Sequence, residues 1–177
     1  PNITDIPKLE ELKNNLAIKV VSVINDPVTT TDELIPSGET SSYRSNPLKL
    51  AEFALSRKDP GYVARAKEVR DGSNMDILTA IEKECLDKND VSIGSTIYAR
   101  KVGDGSAREQ AASCQRFLLA SANLAKEYAT KRYRSNVINW GMVPFRTEDQ
   151  FELNDILIVK NIRKIIENND NAVDAIL

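Results

Sequence analysis

The sequence contains no histidine in its 177 residues and only two cysteines, Cys85 and Cys114. Without histidine, the chain cannot build a Ser-His or Cys-His nucleophile system of its own. Two cysteines this far apart cannot supply the four ligands of a zinc or iron–sulfur site. They also do not make a disulfide framework, and they indicate buried thiols in a reducing compartment. The sequence therefore predicts that this chain by itself binds no metal and no cofactor.

The sequence also lacks long apolar runs and any excess of one charge. No run approaches the ~20 apolar residues of a membrane-spanning helix, and no signal peptide is visible. Lys plus Arg number 24 against 26 acidic residues, for a net charge of −2. A basic stretch over residues 126–134 has interleaved tyrosines, but such runs usually form a solvated helix face. We expect a cytoplasmic protein that has neither a membrane nor a nucleic acid as a partner.

What remains is the composition of an ordinary globular chain. Hydrophobic residues make up 41% and charged residues 28%, and 177 residues suffice for one domain with a sizeable core. No repeat or linker divides the chain, so residues 1–177 are predicted to form a single domain. Because the chain begins with Pro1 and not with methionine, we expect it to be the C-terminal part of a longer polypeptide.

Apolar periodicity and turn residues predict alternating strands and helices, which is typical of an α/β domain with parallel strands. The long polar stretch over residues 25–46 is predicted to be a functional or disordered loop. Strands are predicted over 16–24, 91–99, 117–122, 143–145 and 153–159. Helices are predicted over 6–15, 47–56, 75–88, 107–115, 124–133 and 161–167, with a helix or ordered loop over 62–70 and a helix or turn over 137–141.

A glycine-rich loop, residues 103–112 (GDGSAREQAA), carries the strongest chemical signal. It follows a predicted strand, and its two glycines allow a sharp turn and a close approach to a ligand. Ser106 stands where a helix should begin, and free amides at a helix start bind anions. Arg108 adds donors that suit a carboxylate or a phosphate. Alternatively, Ser106 and Glu109 form a capping box, which is a purely structural role.

Three segments, in order along the chain, are similar to one family. Residues 103–112 resemble the GxGSSREHAA signature of the aconitase superfamily, in its C-terminal swivel domain. Residues 31–38 (TDELIPSG) look like the TDHISPAG stretch of that domain, and residues 134–144 (RSNVINWGMVP) look like its RSNLVGMGVLPL-type stretch. The resemblance implies an α/β fold: a swivelling three-layer β/β/α domain with mixed parallel and antiparallel strands.

The resemblance implies a hydro-lyase whose substrate, a hydroxy-di- or tricarboxylate, binds a [4Fe–4S] cluster. The cysteines of the cluster, and the acid that protonates the leaving hydroxyl, would belong to partner domains, on the same chain or on a large subunit. The isolated domain is therefore expected to be inactive. Ser106 matches the serine that removes the proton beside the carboxylate, and Arg108 matches the arginine that steadies the serine alkoxide and the substrate.

The same resemblance assigns the substrate-binding residues. Arg44 falls at the spacing of the arginine that holds a substrate carboxylate, and Asp32 matches the aspartate expected to organise the site. Gly105 and Ala107, which flank the serine, complete the predicted substrate-binding set.

This sequence departs from the family pattern at three positions. Ala107 replaces the usual second serine, Gln110 replaces the usual histidine, and Glu33 stands where histidine is more frequent. These changes argue against citrate itself as the substrate. Asn136 and Trp140, in the third segment, are predicted to have structural roles.

Two alternatives stay open. The chain could be the free-standing small subunit of an isopropylmalate-isomerase type enzyme, which has a similar size. It could also be a non-catalytic anion-binding or RNA-binding regulatory module on the same fold.

Overall fold

The fold is built on one seven-stranded mixed sheet with strand order β5-β4-β3-β1-β6-β7, and β2 pairs with β3 off this path. The computed structural model describes residues 10–36, 38–72 and 74–177. The strands are β1 (Asn15–Ile24), β2 (Thr29–Thr30), β3 (Val91–Asp104), β4 (Ala120–Tyr128), β5 (Val143–Arg146), β6 (Ile156–Val159) and β7 (Ala175–Ile176). The helices are α1 (Thr31–Leu34), α2 (Pro47–Ala51), α3 (Tyr62–Arg70), α4 (Met75–Lys83), α5 (Arg108–Phe117), α6 (Lys131–Asn139) and α7 (Ile162–Asn168).

Strand direction divides the sheet into two parts. The strands β1 to β5 pair in parallel, whereas β6 and β7 pair antiparallel at one side. Alternate side chains of β1 enter opposite cores. Ala17 and Val21 join the larger core, which contains side chains of helices α1 to α6. Ile18 and Val20 join a smaller core on the other face. Burial on both faces explains why β1 is a nearly continuous apolar run. The predicted α/β class with mixed strands is confirmed.

Most of the predicted elements are found, with shifted ends. Strand β1 and helix α3 agree with their predictions. Strand β3 is longer than predicted and continues as far as Asp104. The predicted helix over 75–88 ends at Lys83, and Cys85 follows with a positive φ of 55°. Of the predicted helix over 47–56, only Pro47–Ala51 is α-helical. The predicted loop over 25–46 contains β2, α1 and a 3₁₀ turn, Ser41–Tyr43.

Three predictions were wrong. The predicted strand over 117–122 and helix over 124–133 are replaced by β4, which runs from Ala120 to Tyr128. β4 pairs with β3 on one side and with β5 on the other, and this pairing overrides the helix propensity of Leu124, Ala125 and Lys126. The helix predicted over 6–15 lies partly outside the described residues, and its described part, residues 10–14, is not helical.

No helix in the described part of the chain is both long and apolar enough to cross a membrane.

Candidate active site

The glycine-rich loop leaves the end of β3 and can be built only with glycine at two positions. Gly103 has φ of +94° and Gly105 has φ of +130°. A Cβ on Gly103 would lie 2.2 Å from the Tyr133 ring, and one on Gly105 would lie 2.3 Å from the Thr31 hydroxyl. A residue with a side chain does not readily adopt these φ angles, and its Cβ would have no space at either position. The two glycines therefore fix the path of the loop between α6 and α1.

Helix α5 begins at Arg108, two residues after Ser106. Ala107 is its N-cap residue, and no side chain caps the helix. The predicted capping box is wrong, because the Glu109 carboxylate turns towards α6. It accepts hydrogen bonds from Trp140 Nε1, at 2.6 Å, and from Asn136 Nδ2. Asn136 and Trp140 therefore link helix α6 and the residue after it to the first turn of α5, as their predicted structural roles require.

The Ser106 side chain is consequently free of that structural role. The residue is exposed, and its hydroxyl forms no hydrogen bond within the described part of the chain. The first-turn amides of α5, which no side chain caps, lie at the positive end of the helix dipole.

A capping box does exist, but in the segment that contains Asp32. Thr30 Oγ1 accepts from the Glu33 amide at 3.2 Å, and Glu33 Oε2 accepts from the Thr30 amide at 2.7 Å. Burial raises the pKa of Glu33, but hydrogen bonds from Thr30 and Lys58 outweigh it and hold the pKa below its usual value. The Thr-x-x-Glu spacing was visible in the sequence and could have predicted this cap.

Asp32, on α1, is exposed. Its carboxylate pairs with Arg57 Nη1 at 3.2 Å, and Arg57 Nη2 also pairs with Glu39 at 2.7 Å. Arg57 therefore connects α1 to the segment that follows it.

A cleft of about 160 Å³ lies between the glycine-rich loop and the segment before α2. Its lining residues include Arg44, Ser106 and Ala107, which come from two separate motifs of the sequence. The remaining lining residues, which the sequence did not mark as ligand-binding, are Ile35, Thr40, Leu50 and Gln110. Arg44 is exposed, and its side chain forms no ion pair or hydrogen bond with the other described residues.

Three of the predicted site residues are absent from the lining of this cleft: Asp32, Gly105 and Arg108. Arg108 is half-buried, as the first residue of α5. Its Nε atom is buried and has no hydrogen-bond partner among the described residues. Gly105 precedes Ser106 and shapes the turn that exposes it.

A buried triangle of polar side chains lies behind the glycine-rich loop. Tyr133 Oη donates to Asn123 Oδ1, Gln115 Nε2 donates to Tyr133 Oη, and Asn123 Nδ2 donates to Gln115 Oε1, each at 3.0 Å. All three side chains are at most 1% exposed. Burial raises the pKa of the Tyr133 phenol, although the Gln115 hydrogen bond opposes this, so the phenol stays protonated. Because α5, β4 and α6 each contribute one member, no local sequence signal could have indicated the triangle.

The described residues contain no group of three or more His, Cys, Asp or Glu side chains that could hold a metal ion. Cys85 is exposed and Cys114 is buried, and neither is in a disulfide. Burial raises the pKa of the Cys114 thiol to about 12, which disfavours the thiolate form that metals bind. The residues described on this chain do not fit an iron–sulfur cluster.

Comparison with known proteins agrees with this geometry. No family model matches the chain. The chain is 29% identical over 170 residues to the mitochondrial homocitrate dehydratase of Saccharomyces cerevisiae, a match that covers 92% of this chain. Its fold is similar to the crystal structure of 3-isopropylmalate dehydratase (leuD) from Methanocaldococcus jannaschii, with a TM-score of 0.55 and 20% identity, over 90% of this chain and 81% of the other. Both similarities support an aconitase-superfamily swivel or small-subunit domain.

This chain spans only 20% of the length of the yeast relative but most of the archaeal chain. Its glycine-rich loop and the start of α1 are neighbours in space, since Gly105 lies against Thr31.

Proposed function

We propose that this chain is the swivel domain of an aconitase-like hydro-lyase, which reversibly dehydrates a hydroxy-di- or tricarboxylate. The observation that carries the proposal is that Ser106 and Arg44, from separate motifs, line one cleft. A hydroxyl and a cation thus face the same space, and neither side chain is engaged by the other described residues.

In this proposal Arg44 binds a substrate carboxylate through its guanidinium fork, which orients the adjacent C–H bond. Ser106 Oγ takes the proton from that carbon. The electron pair of the broken C–H bond forms the C=C bond, and the hydroxyl on the neighbouring carbon leaves as water with a proton from an acid on another domain. Hydration of the alkene is the same sequence in reverse.

A serine is a weak base, so the proposal needs a source of stabilisation for its alkoxide. The uncapped first turn of α5 offers backbone N–H donors and the positive end of the helix dipole. Arg108 begins that helix, and its Nε atom is without a partner in the described structure. We assign Arg108 to steadying the alkoxide and the substrate once the complete site has closed.

The [4Fe–4S] cluster of such an enzyme would be held by other polypeptide, since the described residues here do not fit it. We therefore expect the isolated chain to be inactive. The partner is either the remainder of a longer chain or a separate large subunit. The match to only 20% of the length of the yeast relative favours the first arrangement, and the match to 81% of the archaeal chain favours the second. The mass of the natural polypeptide that contains this sequence distinguishes the two arrangements.

The test uses the complete, cluster-loaded protein and four acids: citrate, homocitrate, 3-isopropylmalate and malate. Formation of the C=C bond is followed by its ultraviolet absorbance. Ser106→Ala should lower kcat on the best substrate about 10³-fold, the range of a lost general base, with little change in KM.

Ser113→Ala is the matched control, because Ser113 is on the same helix but does not line the cleft. Its hydroxyl bonds the Gln110 carbonyl, at 3.3 Å, and the Cys114 side chain. This variant should keep kcat within about twofold, as the loss of weak hydrogen bonds outside the cleft implies. Full turnover by Ser106→Ala contradicts the role of the serine as base. No turnover of any of the four acids by the wild-type protein contradicts the hydro-lyase proposal itself.

A further inference from the structure

Arg44 lies on a segment that has little regular structure to hold it. Residues 38–46 contain only the 3₁₀ turn Ser41–Tyr43, and Arg44 follows that turn directly. Two backbone hydrogen bonds maintain the turn: Tyr43 N–H donates to the Thr40 carbonyl at 2.9 Å, and Asn46 N–H donates to the Tyr43 carbonyl at 2.8 Å. Since the Arg44 side chain has no partner among the described residues, something else must fix its direction.

Two side chains anchor this segment: Thr40, which is buried and donates to the Pro36 carbonyl at 2.8 Å, and Tyr43, which directly precedes Arg44. Tyr43 is the anchor next to Arg44. It is half-buried and packs against the larger core, whereas its neighbours at 41, 42 and 44–46 are all exposed. Its ring stacks on Phe53, with ring centroids 5.3 Å apart and planes inclined by 15°. On α2, Lys49 Nζ lies 4.6 Å from the centroid of the Tyr43 ring. The Tyr43 ring is therefore held on two sides.

The same contact connects Arg44 to the other half of the cleft. The α2 helix, which provides Lys49, packs against α5, and its Leu50 lines the cleft beside Ser106. A displacement of the Tyr43 ring would move Arg44 relative to Ser106, because Arg44 directly follows Tyr43 and residues 44–46 are all exposed.

We propose that Tyr43 is a positioning residue, which acts through its ring to hold Arg44 at the substrate carboxylate. The inference rests on the proposed function. The phenol hydroxyl of Tyr43 forms no hydrogen bond in the described structure, so the ring alone is needed. The three substitutions should therefore differ in how well they hold Arg44. Phenylalanine at position 43 should hold it as well as tyrosine does, leucine should hold it only in part, and alanine should not hold it.

The experiment measures kcat and KM separately, in the complete cluster-loaded protein, with whichever of citrate, homocitrate, 3-isopropylmalate and malate it turns over best. Tyr43→Ala should raise KM on the order of tenfold and leave kcat within about twofold, because it loosens a binding group and not the base. Tyr43→Phe should match the wild-type protein. Tyr43→Leu, which keeps apolar burial and loses the stack, should raise KM by an intermediate factor and guards against a folding failure of the alanine variant.

Two further variants separate positioning from general packing. Phe151→Leu breaks a different aromatic pair, in which the Tyr98 and Phe151 centroids lie 5.4 Å apart on the opposite face of the sheet, and it should leave KM unchanged. In the Arg44→Lys background, adding Tyr43→Ala should raise KM much less than it does in the wild type, since the group that it positions has already been altered.

The outcomes are distinguishable. If the wild-type protein dehydrates none of the four acids, both the proposed function and this role of Tyr43 fall. If the wild-type protein is active but Tyr43→Ala and Tyr43→Leu leave KM unchanged, the positioning role alone is overturned. The same holds if these variants lower kcat by the same factor as kcat/KM. Equal effects of Tyr43→Ala in the wild-type and Arg44→Lys backgrounds also overturn it.

Discussion

The two sides of the cleft are held by different kinds of interaction. The Ser106 side rests on two glycines that no other residue can replace and on a fully buried hydrogen-bond triangle. The Arg44 side rests on one ring stack and on surface ion pairs such as Arg57 with Glu39. Buried, satisfied polar networks rigidify a structure, whereas exposed ion pairs contribute little. The molecule thus has a rigid serine side and a more adaptable arginine side.

The largest expected effect comes from breaking the rigid side at Gly103. Gly103→Ala should lower the free energy of unfolding of the chain by about 4 kcal/mol, because it adds backbone strain and drives a methyl group into the buried Tyr133 ring. Urea denaturation measures the change.

Gly141→Ala is the matched control for Gly103→Ala. Gly141 also has positive φ, of 72°, but a Cβ there would meet nothing within 4 Å. Gly141→Ala should lower the free energy of unfolding only through backbone strain, by about 1–2 kcal/mol. Equal costs at the two glycines would show that the contact with Tyr133 does not constrain the loop.

Removing one member of the buried triangle should have the next largest effect. Asn123→Ala leaves the Tyr133 hydroxyl and the Gln115 amide without their partner, which should cost about 3 kcal/mol of stability. In contrast, Asn139→Ala, an exposed change at the end of α6, should alter stability by less than about 0.5 kcal/mol. Both are compared by denaturant melts under the same conditions, and a small loss for Asn123→Ala would remove the basis for calling this side rigid.

The arginine side should respond to charge and salt. Arg57→Gln removes the links to Asp32 and Glu39, and we expect faster amide hydrogen exchange across residues 38–46 with no change across residues 103–112. Raising the salt concentration of the wild-type protein should act in the same direction, because salt screens exposed pairs. Lys101→Gln, which breaks a surface pair with Glu127 far from this segment, is the control. Equal acceleration of exchange on both sides of the cleft would contradict the comparison.

The smallest expected effect concerns pH. The pKa of Glu33 is lowered in the folded chain, so its charged form adds stability above its unfolded-state pKa, for which the usual value is 4.5. That stability is lost as the pH falls through the lower, folded-state pKa. Glu33→Gln should therefore cost about 1 kcal/mol or less at pH 7, and the difference from wild type should shrink as the pH falls below about 4.5. A difference that stays constant down to pH 3 would mean that the charge of Glu33 is irrelevant to the cap.

The short motifs were the most informative part of the sequence. Three of the six predicted site residues, Ser106, Ala107 and Arg44, line one cleft, and their roles stay predictions. Strand β1 could be predicted from its apolar run. The capping box was misassigned because Ser106/Glu109 and Thr30/Glu33 both fit the spacing, and local spacing cannot decide which carboxylate finds a partner on another helix.

What could not be predicted depends on contacts between distant parts of the chain. The residues of β4 favour a helix locally, and only pairing with β3 and β5 makes them a strand. The Gln115–Tyr133–Asn123 triangle likewise exists only once three elements have packed. The stack of Tyr43 on Phe53 joins residues that the sequence placed in a loop and a helix.

The contrast between the two thiols gives this molecule a built-in reporter. Cys85 is accessible in the native state, whereas Cys114 is sealed in the core with its pKa raised to about 12. A maleimide dye added to native protein should therefore modify this chain at Cys85 alone. Modification of Cys114 would measure the fraction of molecules whose core has become accessible to solvent.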